Sequence, residues 1–312
     1  MDKFLVTGGA GFIGSNICKK LVSQGCFVRV IDNLSTGKMS NLQDCIDKIE
    51  FIEADMGDEE ITRSAMKDID VVLHQGALPS VPRSVEDPAA THRHCVDATF
   101  TLLLAARDAG IKRFVFASSS SVYGDSPAMP KVETMLPMPL SPYAAGKLVG
   151  EYYCSVFYRV YGLETISLRY FNVFGPHQDP ASQYAAAIPA FVTAILKGRP
   201  PTVFGDGLQS RDFTYVDNVV DANLLAAKAE QTAGEVINIA CGESITVNET
   251  IEAINSATGK NIKPIYAALR PGDVKHSLAD ITAAENIIGF KPLVSFKQGL
   301  KLAINWYRNN LL

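Results

Sequence analysis

The sequence predicts an α/β protein: a doubly wound parallel sheet with a smaller α/β lobe laid over one end of it. Three observations carry this. Short β-branched runs alternate with longer helix-like stretches through the first three-quarters of the chain, the pattern of a buried parallel sheet with helices on both faces. The first strand runs directly into a glycine turn and a helix start, from Phe4 through Gly8, Gly11 and Gly14. Past Tyr170 the alternation loosens into Gly- and Pro-bearing loops interleaved with short helices, then resumes near 216–240.

The strand candidates are 4–7, 27–32, 50–55, 71–76, 114–119, 165–170 and 236–240, each a short run rich in Val, Ile, Phe or Thr. The helix candidates are about 12–24, 59–67, 90–109, 142–161, 187–197, 216–229, 247–257, 280–288 and 296–310, those at 90–109 and 142–161 being unusually long. The division expected is residues 1–170 with about 213–242 in the sheet domain, and about 171–212 with 243–312 in the lobe.

Composition narrows the function classes. The chain has 312 residues, 47% hydrophobic and 20% charged, which excludes a disordered chain, a coiled coil and a collagen-like polymer. It sets 29 basic against 33 acidic residues, net −4, with no run of like charge, which argues against a general nucleic-acid binder. Six scattered cysteines without a CxxC pair read as reduced thiols in a cytoplasmic protein, and with the five histidines they show no metal-ligand spacing. No apolar run approaches about 18 residues, and the chain opens on a strand pattern rather than an export signal, so no membrane contact is expected.

The glycine turn points to a dinucleotide. Glycines at 8, 11 and 14 serve a tight turn, close approach to a pyrophosphate and helix–strand packing, and the helix start offers free N–H groups. The second strand ends in Asp32, 18 residues past Gly14, placed to accept from ribose hydroxyls and to repel a 2′-phosphate. NAD is therefore expected over NADP. Asp55, ending the third strand, would lie near an adenine.

The chemistry gathers at two further places. Ser118-Ser119-Ser120-Ser121 leaves a buried strand at its carboxyl end. Ser141-Pro142-Tyr143-Ala144-Ala145-Gly146-Lys147 opens a helix, putting Tyr143 and Lys147 one turn apart on one face. A tyrosine, with a reference pKa near 10, needs a nearby cation to act as a base near neutrality. Lys147 and a positively charged nicotinamide ring would supply it, while a serine hydroxyl holds the same substrate oxygen.

With these motifs in order, the chain resembles the extended short-chain dehydrogenases/reductases, which share a Rossmann-type domain, and among them the nucleotide-sugar 4-epimerases acting on UDP-glucose or UDP-N-acetylglucosamine. The resemblance runs essentially end to end, through Arg169-Tyr170-Phe171-Asn172-Val173-Phe174-Gly175-Pro176, Ser210-Arg211-Asp212-Phe213 and Arg270-Pro271-Gly272-Asp273. It implies Tyr143 as catalytic base and acid, Lys147 as its modulator and nicotinamide-ribose contact, and Ser119 as the serine bonded to substrate. It implies a cofactor site that adds Phe12, Ile13, Asn33, Met56 and Gln75 to Gly8, Gly11, Asp32 and Asp55. For a UDP-sugar it implies Ser80, Arg83, Ser120, Ser121, Asn172, Val203, Arg211, Arg270, Asp273 and Ser277, with both arginines on phosphate oxygens and Asp273 on the uridine ribose. It also implies a homodimer through helices 90–109 and 142–161, with stripes such as Leu102, Leu103, Ala106 and Val149, Tyr153, Phe157. One position departs from the pattern: Cys95 stands where the family usually has an asparagine, and reads as a packed thiol.

Within the resemblance, the absence of a carboxylate in Ser118–Ser121 implies epimerisation by oxidation at C4, rotation of the 4-keto sugar and reduction on the opposite face, rather than dehydration or decarboxylation. Ser277 falls where relatives restricted to non-acetylated sugars tend to carry tyrosine, and the 77–84 segment is similar to the sugar-side loop of the N-acetylhexosamine group, so UDP-N-acetylglucosamine is expected and UDP-glucose allowed. A UDP-glucuronate 4-epimerase is the nearest alternative, since Arg83 could pair with a carboxylate, although Asn172 favours neutral sugars. An NAD-sensing protein without catalysis is the alternative of another class, which the intact Tyr-x-x-x-Lys pair disfavours.

Overall fold

A computed structural model describes residues 2–180, 186–268 and 275–311. Its strands, in chain order, are β1 (Lys3–Thr7), β2 (Phe27–Asp32), β3 (Glu50–Glu53), β4 (Val71–His74), β5 (Arg113–Ser119), β6 (Thr165–Tyr170), β7 (Val173–Phe174), β8 (Thr202–Phe204), β9 (Ser210–Arg211), β10 (Thr214–Tyr215), β11 (Glu235–Ile239), β12 (Ile245–Thr246) and β13 (Ile265–Ala267). The seven strand candidates become one parallel sheet in the order β3-β2-β1-β4-β5-β6-β11. The remaining strands pair two by two: β7 with β10, β8 with β13, and β9 with β12.

The sheet's strands are apolar on both faces because both are covered. Phe4, Val6, Val28, Val30, Val115 and Leu168 enter one core, while Leu5, Ile31, Val72, Phe114 and Phe116 enter another on the opposite side. The first core also takes in Phe174, Phe213, Tyr215, Phe296 and Leu300, so sheet and lobe share one apolar interior.

The helices are α1 (Phe12–Ser23), α2 (Glu59–Ala65), α3 (Val81–Glu86), α4 (Pro88–His92), α5 (Ala98–Asp108), α6 (Pro142–Tyr161), α7 (Ala187–Leu196), α8 (Val216–Lys228), α9 (Val247–Thr258), α10 (Thr282–Ile288) and α11 (Phe296–Leu311). The helix expected over 90–109 is one continuous helical run over 88–108, with a π-turn, Arg93–Asp97, between α4 and α5; Cys95 is buried there, so close to α6 that a Cβ added to Gly146 would lie 3.1 Å from that of Cys95. One expectation changes. The segment 77–84, expected as a loop, holds α3 from residue 81, with the Ser80 hydroxyl capping it by accepting from Arg83 N at 3.1 Å and a proline in its first turn.

The proposed dimer stripes also sort differently. Leu102, Leu103, Ala106 and Phe157 are buried within their own chain. The large apolar residues facing outward on these helices are Phe100, Tyr152, Val156, Val160 and Tyr161. Among the described residues, no helix is long and apolar enough to cross a membrane.

Candidate active site

Strand order reverses between β1 and β4, and a crevice opens there at the carboxyl ends of the strands, the place where open α/β sheets hold ligands. Its wall includes Gly8, Gly11, Phe12, Ile13, Asp32, Asn33, Met56 and Gln75 from the sequence-derived set. Gly8 has φ +66°, and a Cβ on it would sit 2.7 Å from the Gly76 backbone. A Cβ on Gly14 would lie 2.2 Å from the Gly8 carbonyl oxygen, so only glycine lets α1 start this close to the turn. Helix α1 follows its N-cap Gly11 with no side-chain cap and no acid in its first turn, leaving its leading N–H groups to an anion.

Asp32 is buried beside this cradle. One oxygen accepts from Ala10 N at 2.9 Å and the other from Leu34 N at 2.8 Å. Burial nevertheless pushes its carboxyl above the usual range. A Cβ on Gly37 would come within 2.9 Å of both oxygens, so that glycine keeps the approach to the carboxylate open. Asp55 is not on the wall. Its oxygens accept from Asn33 Nδ2 at 3.0 Å and Gly57 N at 2.8 Å, so it acts by holding Asn33, which is.

Tyr143 sits in the first turn of α6, fixed by the Ser141 hydroxyl accepting from Ala144 N at 3.2 Å. Lys147 is buried, donates to the Ala117 carbonyl at 2.7 Å, and lies 5.8 Å from the centre of the Tyr143 ring. Burial pushes the Tyr143 phenol up, with Cys95 adding to this and the Ser119 hydroxyl opposing it. Burial also pulls the Lys147 ammonium down. The chain alone thus holds a protonated phenol, and a further positive charge in the crevice is what would release its proton. Ser119 ends β5, its oxygen accepting from Ser121 N at 3.2 Å and Ser121 Oγ at 2.9 Å, so its own hydrogen remains to donate.

A second cavity adjoins the first, and Ile13, Ser118, Tyr143 and Tyr170 line both. Its wall brings together Ser119, Ser120, Ser121, Asn172, Arg211 and Ser277. Asn172 takes φ +32° and donates to the Asp212 carbonyl at 3.3 Å. Arg211 Nη1 donates to the carbonyls of Ser210 and Lys275 at 2.9 and 3.1 Å, and Ser277 N donates to the Ser210 carbonyl at 3.1 Å. Arg270 and Asp273 lie outside the described residues.

Three expected substrate residues are elsewhere. Val203 is fully buried in the lobe core, and Ser80 and Arg83 are on neither cavity wall; α3 sends Val81 there instead. Two residues that sequence reasoning missed lie on the cavity walls. Lys131 is buried on the second cavity's wall, donates to the Ser126 carbonyl, and has no ion pair among the described residues. Its backbone pairs with the arm that carries Ser277, through Leu278 O at 2.8 Å and Asp280 N at 2.9 Å. His177 closes the first cavity from the lobe side, with Nδ1 2.9 Å from Ser15 Oγ and Nε2 accepting from Lys19 Nζ at 3.0 Å; burial pulls its pKa to about 4. No local signal marks either residue.

Comparison with known proteins places this arrangement. Residues 4–240 match the family model described as the NAD dependent epimerase/dehydratase family. A UDP-N-acetylglucosamine 4-epimerase from Methanobrevibacter ruminantium, solved in complex with UDP-N-acetylmuramic acid, is 43% identical with a TM-score of 0.95, covering 99% of each chain. A UDP-glucose 4-epimerase from Thermotoga maritima, solved with UDP-glucose, is 39% identical with a TM-score of 0.95, covering 99% of this chain and 100% of that one. A UDP-glucuronate 4-epimerase from Thermodesulfobacterium geofontis is 33% identical over 100% of this chain and 98% of its own length. The chain belongs to the NAD-dependent epimerase/dehydratase family, and its cofactor is NAD.

Proposed function

We propose that the enzyme is a UDP-hexose 4-epimerase that interconverts UDP-N-acetylglucosamine and UDP-N-acetylgalactosamine, and accepts UDP-glucose and UDP-galactose as well. The observation that carries this reading is Tyr143 on the wall common to both cavities, with Lys147 beside it and Ser119 on the sugar side. In the proposal, residues 1–170 with 213–242 hold the dinucleotide, and 171–212 with 243–312 the UDP-sugar.

When bound, NAD takes a hydride from C4 and later returns it. Gly8, the α1 start and Asp32 hold the dinucleotide beside Tyr143. The Tyr143 oxygen takes the C4 hydroxyl proton and gives it back after the 4-keto sugar has turned, while Ser119 donates to the same oxygen. Lys147 stabilises the phenolate in between. The carboxylate nearest the serine run, Glu151, bonds Ser118 and Arg169 and is off both cavity walls, so it offers no proton handling for elimination. Small Ser277 leaves room for a 2-acetamido group. The phosphates fall to Asn172, Arg211 and Arg270, which explains how a net −4 chain grips a pyrophosphate.

Lys131 favours a second reading, a uronate substrate whose carboxylate would meet the buried ammonium. Incubation with UDP-N-acetylglucosamine, UDP-glucose and UDP-glucuronate without added reductant, followed by separation of the epimers, decides. Turnover of UDP-N-acetylglucosamine is expected; turnover of UDP-glucuronate alone would replace the first reading by the second.

The proposal includes a homodimer through α5 and α6, now by the outward row Phe100, Tyr152, Val156 and Val160, and a single-chain mass in solution would remove it. It also includes a reducing, cytoplasmic setting, in keeping with six free thiols.

A further inference from the structure

A buried charge pair, Glu151 with Arg169, lies behind the proposed catalytic groups; neither residue is on a cavity wall, although the Glu151 partner Ser118 lines both. Glu151 is 2% exposed and stands one turn past Lys147 on α6. Its Oε1 accepts from Ser118 Oγ at 2.5 Å and Arg169 Nε at 2.8 Å, and its Oε2 accepts from Arg169 Nη2 at 2.7 Å. The Arg169 guanidinium lies over the Tyr123 ring at 4.6 Å, and Tyr123 donates to Asn238 Oδ1 at 2.7 Å.

The partners of this carboxylate are each one residue from the site. Ser118 precedes Ser119 on β5, and Arg169 precedes Tyr170 on β6; the register pairs Ser118 with Arg169 and Ser119 with Tyr170. Lys147 donates to the carbonyl of Ala117, which precedes Ser118. One carboxylate therefore ties α6, β5 and β6 together at the level where Tyr143, Lys147, Ser119 and Tyr170 leave them. Stability alone does not call for such a group, since a buried ion pair gains little over apolar side chains of the same volume. What it adds is geometry: three hydrogen bonds with fixed directions, which apolar contacts would not impose.

We propose that Glu151 is a positioning residue for epimerisation, holding Ser119 and Lys147 in register with Tyr143 through Ser118, Arg169 and the shared helix turn. The inference rests on the proposed roles of those three residues. Glu151 is also the nearest carboxylate favouring the Lys147 ammonium; the other ionisable groups acting there are the thiols of Cys95 and Cys154 and, from β4, the buried His74.

Two variants test it. Glu151→Asp keeps the charge and shortens its reach. The pair Glu151→Met/Arg169→Met removes both charges at similar volume, so that no lone buried charge prevents folding. Expected for each is a fall in kcat of tenfold or more with KM and bound NAD near wild type. For the pair, the alkaline limb of the kcat profile should also move to lower pH, because Lys147 loses its carboxylate. Folded variants with wild-type kcat and an unmoved alkaline limb would overturn the inference. Tyr143→Phe, assayed alongside, separates the two claims: it should retain NAD and lose turnover by about a thousandfold or more. Turnover in Tyr143→Phe within tenfold of wild type would overturn the base assignment and this inference with it. A dead Tyr143→Phe beside fully active Glu151 variants would overturn this inference alone.

Discussion

At the level of single residues, what local sequence could reveal was chemistry with a fixed spacing. Tyr143 and Lys147 are four apart on one helix, and Asp32 ends a strand that follows a glycine turn, so each is placed by its own element. Lys131 and His177 reach the site through pairings across the fold, to Leu278 and to Ser15, and nothing within a few residues of either announces this. The reverse failure is Val203, whose apolar side chain belongs to the lobe core. Ser277 has the clearest consequence. Its backbone is pinned to Ser210 at 3.1 Å, so a larger side chain there must grow into the cavity rather than move the chain. Ser277→Tyr is expected to lower kcat/KM for UDP-N-acetylglucosamine by a hundredfold or more while leaving UDP-glucose within a fewfold. Parallel assays on the two substrates check it, and equal losses would remove Ser277 as the gate.

At the level of elements, the inner strands such as β1, β4 and β5 were legible because a strand buried on both faces is a largely apolar run, whereas the edge strand β3, Glu50–Glu53, was legible by its place in the β/α alternation. The winding inside a helix was not. The π-turn at Arg93–Asp97 leaves its helix continuous and carries Cys95, which packs close to Gly146 of another helix. The start of α3 did carry a signal, a serine cap followed by proline, inside a segment read as a loop. The β1–α1 turn is tightly constrained by its packing. Its Gly14 Cβ position falls on backbone, 2.2 Å from the Gly8 oxygen and 2.8 Å from the Gly9 Cα, so no side-chain rotation relieves it. Gly14→Ala should therefore cost about 1–3 kcal/mol of stability and strip most of the bound NAD. Thermal melting, with NAD released on denaturation and quantified, checks both; full NAD occupancy would show that the turn can relax.

At the level of the whole molecule, the segments after β6 are joined to the sheet by a shared core and by polar groups, among them the Asp212 carboxylate. Asp212 follows Arg211 in the lobe and is fully buried. Its oxygens accept from Cys241 N at 2.9 Å and Gly242 N at 3.0 Å, just past β11, and from Ala279 N at 3.2 Å on the arm that carries Ser277. Burial pushes its carboxyl up to about 6, against the pull of these amides. A carboxyl raised in the native state binds its proton more tightly folded than unfolded. This group's contribution is therefore fully present below the unfolded pKa near 4, and is lost as pH rises through about 6. Between pH 7 and pH 5 the wild type should gain about 1 kcal/mol relative to Asp212→Asn, whose side chain does not titrate. Urea unfolding of both proteins at the two pH values measures the difference. A constant offset between them would mean that Asp212 stays ionised in the folded state, held by its amides, and that the junction of sheet and lobe is insensitive to pH in this range.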